Sequence, residues 1–141
     1  MRFSIPRFWR EKPGHYFLRG TRCKACGRIN YPPSKICRYC GSRDTEEVDL
    51  LEPGRVVTWT VIYSAPEGFE EYKPIIIAMV ELINSKARIL TQLTDIDPSE
   101  IKEGMIVEPV LRRINEDGET GIIHYAIKFR PVIGGISDKQ E

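Results

Sequence analysis

Cys23-Lys24-Ala25-Cys26-Gly27 and Cys37-Arg38-Tyr39-Cys40-Gly41 decide how the first third of this chain folds. The two pairs use all four cysteines of the 141 residues. Residues 27–36 separate them, a length that folds back as two facing turns. Four thiolates brought together this way make a tetrahedral site suited to zinc. Glycine after the second cysteine of each pair permits a tight turn with backbone N–H groups aimed at sulfur. The pattern therefore predicts a zinc ribbon.

Two disulfides, or a thioredoxin-like redox pair, are the competing readings. A doubled Cys-x-x-Cys with no thiol left over argues against both. Iron is the alternative metal, since rubredoxins use the same knuckles. Four protein ligands close the coordination sphere and leave no position for water or substrate, so the metal is structural. A segment of this size cannot bury enough apolar surface unaided. Structural zinc contributes about 10–16 kcal/mol of apparent binding free energy in small fingers.

A hydrophobic content of 41% with 29% charged residues reads as a soluble globular protein with room for one ordinary domain or two small ones. The first ten residues hold no apolar core of signal-peptide length. The longest apolar run, 75–82, is broken by Glu81 and is too short to span a bilayer. A cytoplasmic location is the expectation.

The net charge is +1, unevenly spread. Residues 1–43 carry eleven Lys/Arg against Glu11 alone, and residues 44–141 carry ten against nineteen acids. Phe3, Phe8, Trp9, Tyr16, Phe17, Tyr31 and Tyr39 also fall in the basic part. A basic, aromatic-rich module beside an acidic one suggests a surface for a polyanion or a protein partner. The plainer alternative is that the aromatics form the module's own core and the basic residues dock onto the acidic part.

Ser4 and Pro6 look like a helix start, with Ile5, Phe8 and Trp9 on one face and Pro13-Gly14 as its end. A second short element, 15–22, leads into the first knuckle, and Tyr31-Pro32-Pro33 is an extended rung between knuckles. The polar stretch 42–49 reads as a linker. Five strands follow, at 55–64, 74–83, 87–94, 105–114 and 122–130, with a hairpin turn at Asn84-Ser85-Lys86 and a turn at Glu116-Asp117-Gly118. A short helix opened by Asp97-Pro98 lies between the third and fourth strands. That is the order of an OB-fold, with a generic five-stranded barrel or sandwich as the alternative. The expected fold is mainly β: short N-terminal helices and a rubredoxin-like zinc ribbon over 1–46, an OB-fold barrel over 47–133, and a mobile tail over 134–141.

The chain has two histidines, His15 and His124, and no P-loop, Gly-x-Gly-x-x-Gly, nucleophile elbow or metalloprotease motif. Acid–base chemistry needs groups in hydrogen-bond reach, and no such constellation is visible. Strand alternation puts Ile123, Tyr125, Ile127 and Phe129 on the core side. It leaves Ile122, His124, Ala126, Lys128 and Arg130 outward, as a basic strip or a solvated face. Arg112 and Arg113 point to opposite faces, so at most one joins such a strip. The chemistry looks like binding.

Together, Phe8-Trp9, Arg22 through Arg28, Tyr31-Pro32-Pro33, Cys37 through Gly41, Gly54 through Val57, Gly104 through Glu108 and Phe129-Arg130-Pro131 resemble the zinc-ribbon/OB-fold acyl-CoA-associated proteins of archaea and bacteria. The resemblance covers about residues 3–133. One departure is Pro74-Ile75, where the family often has Pro-Tyr. The resemblance implies a non-catalytic scaffold that binds acyl-CoA and bridges acetoacetyl-CoA thiolase and hydroxymethylglutaryl-CoA synthase. On that reading Lys73, Arg112, His124, Lys128 and Arg130 are the candidate coenzyme A contacts. Phe8, Trp9, Tyr16 and Phe17 are the candidate partner surface. Cys23, Cys26, Cys37 and Cys40 hold one zinc. A single-stranded nucleic-acid binder is the runner-up, although an acidic OB module fits phosphates poorly. A rubredoxin-like electron carrier is third.

Overall fold

A computed structural model describes residues 4–67, 69–116, 119–121 and 123–132. Gly68 in the loop after the first barrel strand, Asp117-Gly118 of the expected turn, Ile122 and the expected tail 134–141 lie outside the described residues. The chain runs α1 (Ile5–Phe17), β1 (Arg19–Cys23), β2 (Ile29–Asn30), β3 (Thr45–Asp49), β4 (Gly54–Ile62), β5 (Ile75–Leu82), β6 (Arg88–Leu93), β7 (Ile106–Glu116) and β8 (Ile123–Pro131). Strands β2-β1-β3 form an antiparallel sheet, and β4-β5-β6-β8-β7 close into a barrel. This is the OB order, with β6 and β8 as the parallel pair. No described helix is long and apolar enough to cross a membrane.

The barrel closes on alternating apolar residues: Ile76, Ala78, Val80 and Leu82 of β5, Ile89 and Leu93 of β6, Val107 of β7 and Phe129 of β8. Gly54 pairs with Leu82 on one side and Val107 on the other, and a Cβ there would collide with the Val80 side chain. Leu18 and Leu50 belong to the same apolar cluster, so ribbon and barrel share one core at their seam. Polar bonds fix that seam. Ser85 donates its N–H and its hydroxyl to Glu52 Oε1 at 2.8 and 2.7 Å, and Ile83 N–H donates to the Pro53 carbonyl at 3.0 Å.

Four expectations change. α1 is one helix that passes through Pro13 and Gly14, so residues 15–17 finish it, and of the expected second short element only residues 19–22 remain, as the start of strand β1 into the first knuckle. Proline removes the bond to the Trp9 carbonyl, but contacts bridge the break. The Phe8 and His15 rings stack at 5.4 Å across it, and Glu11 lies 3.2 Å from Arg7 and 3.9 Å from His15. The helix ends instead at left-handed Leu18, where Leu50 N–H caps the Phe17 and Leu18 carbonyls at 3.3 and 3.1 Å. Ser4 occupies the N-cap position without a side-chain cap bond.

Residues 45–49 are a strand, not a linker. β3 pairs with β1 from Arg19↔Asp49 to Cys23↔Thr45. Opposite charges face across it: Arg19 reaches Glu47 at 3.3 Å and Asp49 at 3.4 Å, Arg22 reaches Glu46 at 4.0 Å, and Lys24 reaches Asp44 at 3.8 Å just beyond the strand ends. The acidic run is the partner of the basic one. The expected short helix after Asp97 is a single 3-10 turn, Pro98–Glu100, with Asp97 capping Ser99 N–H at 2.9 Å.

The faces of β8 are inverted at its start. Ile123 and Tyr125 are exposed, whereas His124 and Lys128 are buried; Phe129 is in the core as expected. Before Phe129, the described residues of β8 pair only with β7, outside the closed part of the barrel. There α1 supplies the cover, with Phe8 edge-on to His124 at 4.4 Å.

Candidate functional site

Each cysteine pair sits on a turn whose shape the following glycine sets. Gly27 N–H donates to the Cys23 carbonyl at 2.8 Å, and Gly41 N–H to the Cys37 carbonyl at 2.9 Å. Both glycines have φ near +75°, where a side chain strains the backbone (Gly27 +74°, Gly41 +75°). The turns bring all four sulfurs within 4.8 Å of one another. Cys23 Sγ lies 3.5 Å from Cys40 Sγ, and Cys26 Sγ lies 3.6 Å from Cys37 Sγ. A tetrahedron with metal–sulfur bonds of about 2.3 Å has edges of about 3.8 Å. The four thiols fit a tetrahedral metal ion, and the donor set suits zinc.

The surroundings prepare the thiolates. The backbone N–H of Cys40 is the main influence on Cys37; with the Tyr39 N–H and the Asn30 amide, and against burial, it brings that thiol down to about 6. The Cys26 N–H lowers Cys23 in the same way. At Cys40 the Ser42 N–H pulls down, but the neighbouring thiols, Cys23 first, and burial push the group up to about 11. A divalent cation relieves that crowding of like charges. Asn30 is fully buried and does two jobs: its Oδ1 accepts from Arg38 N–H at 3.1 Å, and its side chain helps to lower the Cys37 thiol, although its Nδ2 makes no hydrogen bond among the described residues. Outer contacts of this kind orient metal ligands. Sequence reading missed Asn30, because nothing in its local pattern sets it apart from a turn residue.

Of the five candidate coenzyme A contacts, Arg112 and Lys128 lie together beside Asp95. Arg112 pairs with Asp95 at 3.0 Å, and Arg130 pairs with Glu108 at 2.9 Å. His124 is buried under Phe8. Lys128 is buried, and its pKa is lowered by that burial and by Arg112, against the pull of Asp95. Lys73 is exposed before Pro74. The aromatic candidates do gather on α1. Trp9 is 74% exposed, and Lys12 lies over Trp9 at 6.0 Å and over Tyr16 at 5.4 Å. With Ile5, Phe8 and Ile123 they line a shallow cleft of about 160 Å³. Phe8 is half-buried inside its floor, and Phe17, also exposed, lies at the helix end.

A second cleft, of about 290 Å³, lies where the ribbon meets the barrel, between the second knuckle and the β5–β6 hairpin. Ile29, Tyr31, Arg38, Tyr39, Lys86, Ala87 and Arg88 line it. Sequence reading did not foresee it. Its halves lie almost fifty positions apart, and only the packing of ribbon on barrel joins them.

Residues 10–46 match the ChsH2 rubredoxin-like zinc ribbon domain, and residues 47–112 match the ChsH2 C-terminal OB-fold domain. The chain is 46% identical over 130 residues to a DUF35 domain-containing scaffold protein of Pyrococcus furiosus, covering 92% of this chain and 94% of that one. It is 31% identical over 113 residues to the benzoylsuccinyl-CoA thiolase subunit BbsA of Geobacter metallireducens, covering 79% of this chain and 74% of that protein. Its fold resembles a chain of the solved Ltp2-ChsH2(DUF35) aldolase, with a TM-score of 0.66, 30% identity, and coverage of 94% and 98%. Four thiols on paired knuckles, a closed OB barrel and these matches along nearly its whole length place the chain in the DUF35 family of ChsH2-type zinc-ribbon/OB-fold proteins.

Proposed function

We propose that this chain is a non-catalytic scaffold subunit that holds one structural zinc, docks a thiolase-type enzyme on the α1 face and helps to bind acyl-CoA. The observation that carries the reading is the α1 surface. Trp9, Ile5 and Phe17 stand exposed beside Tyr16 on a helix fixed to the barrel through Phe8 and His124. Rigidly mounted aromatics around a shallow cleft are the usual anchors of a protein interface. Relatives named as a scaffold protein, as a thiolase subunit and as part of an aldolase support partners of that class. The closed four-thiol centre suits architecture better than chemistry. Acetoacetyl-CoA thiolase and hydroxymethylglutaryl-CoA synthase in the cytoplasm are the specific partners proposed.

The test is gentle affinity co-purification from the native host, with and without nuclease, followed by mass spectrometry. Nuclease-insensitive recovery of a thiolase or hydroxymethylglutaryl-CoA synthase is expected. Recovery of RNA-bound proteins that vanish with nuclease, or of no partner enzyme, contradicts the reading.

A further inference from the structure

We propose that the cleft between ribbon and barrel binds the phosphorylated adenosine end of an acyl-CoA, with Arg38, Lys86 and Arg88 on its phosphates and Tyr31 and Tyr39 beside the base. The proposal rests on the acyl-CoA reading above and moves the contact site from the β8 strip to this seam.

Charge, shape and rigidity converge there. Arg38 and Tyr39 project from one wall and Lys86 and Arg88 from the other, with Tyr31 between them. Arg28 stacks on the Tyr39 ring at 4.9 Å and adds a fourth cation. Against these four stands Glu81, which takes Arg88 at 3.0 Å; Arg28, Arg38 and Lys86 have no carboxylate within 4.0 Å among the described residues. The Tyr31 phenol is held above its ordinary pKa by burial, so it stays neutral and adds no repelling charge. A concavity of about 290 Å³ suits a nucleotide. Arginine supplies forked donors for phosphate, and aromatic rings and guanidinium planes supply surfaces for a base.

Both walls are set before any ligand arrives. Asn30 Oδ1 holds the Arg38 backbone N–H at 3.1 Å. On the other wall, Lys86 sits in a left-handed turn (φ 58°) with its N–H on the Leu82 carbonyl at 3.2 Å, beside Ser85 tied to Glu52. Arg38 and Tyr39 are also the two residues between Cys37 and Cys40. An ion on the four thiols therefore fixes one wall, and the cleft makes ligand binding depend on the ribbon's metal. Preformed walls spare a ligand the entropy of ordering them.

The experiment is calorimetric titration of the zinc-loaded full chain with adenosine 3′,5′-bisphosphate at physiological salt, with coenzyme A and a single-stranded RNA oligonucleotide as competitors. One saturable site is expected, displaced by coenzyme A. Arg38→Glu and Lys86→Glu are each expected to weaken it about ten- to hundredfold, the scale of a lost charge-assisted hydrogen bond, at full zinc content. Lys102→Glu, exposed and outside the cleft, should leave it unchanged. If coenzyme A binds but the bisphosphate does not, or neither cleft variant matters, the cleft assignment fails and the acyl-CoA reading survives. If neither ligand binds, both fail. Displacement of the bisphosphate by RNA but not by coenzyme A overturns the assignment in favour of a nucleic-acid surface.

Discussion

Within the ribbon, the buried side chains away from the seam are Thr21, Asn30, Cys23 and Cys37: two polar groups and two metal ligands. Within the barrel they are mostly apolar, Val56, Ile76, Ala78, Val80, Leu82, Ile89, Val107 and Phe129, with the polar His124 and Lys128 buried on β8. The barrel is ordered by apolar burial, which acts on every strand at once. The ribbon has almost nothing of that kind to bury away from the seam residues Leu18 and Leu50. Its order comes from four thiols, a few hydrogen bonds and exposed ion pairs along β1 and β3. Exposed pairs of this sort contribute about 0–1 kcal/mol each, too little to hold a sheet. The lesson is a division of labour. The barrel is held by apolar burial, and the ribbon is held by its four thiols.

Breaking that contrast at its most sensitive point gives the largest effect. Cys37→Ser removes a buried ligand from a closed site whose apparent metal-binding free energy is of order 10–16 kcal/mol in comparable fingers. We expect metal content to fall well below one per chain, read by elemental analysis, with the ribbon's amides losing protection. Full zinc content and an unchanged melting temperature would contradict the account. Phe129→Ala attacks the other side. It empties the centre of the barrel and is expected to cost about 3–5 kcal/mol in urea unfolding, while the protein that remains folded keeps its zinc. Loss of zinc from folded Phe129→Ala protein would mean that the two modules are not separable in this way. Asn30→Leu sharpens the contrast with a smaller step. It leaves the part-buried Arg38 N–H without its acceptor, an expected cost of about 1 kcal/mol, and removes the amide that lowers the Cys37 thiol. Chelator competition should then show zinc held about 10–100-fold more weakly; unchanged zinc affinity would reduce Asn30 to a packing residue.

Different parts of the molecule were legible in the sequence to different degrees. The knuckles were legible because their chemistry is local: two cysteines and a glycine within five residues set each turn. The barrel strands were legible because β-branched runs and turn residues recur at strand spacing. β3 was not, because its strand forms by backbone pairing with β1 and by packing of Val48 against the core rather than through any apolar alternation of its own. The helix through Pro13 was missed because the contacts that carry it past the proline, Phe8 on His15 and on His124 of β8, are not visible to a rule that reads Pro-Gly locally. The faces of β8 were misassigned because α1, over a hundred residues away in the chain, supplies the cover that makes His124 an inside residue. In the site the same rule holds: the four metal ligands are read from spacing, whereas Asn30 and the seam cleft exist only through long-range packing.

Hydrogen exchange on the intact chain, before and after zinc is stripped by a chelator, tests the central contrast most directly. The account predicts that amides of β1, β2 and β3 and of the Arg38-Tyr39 knuckle lose protection on metal removal, while those of β5 and β6 keep theirs. Uniform loss across both modules, or no loss in the ribbon, would contradict it.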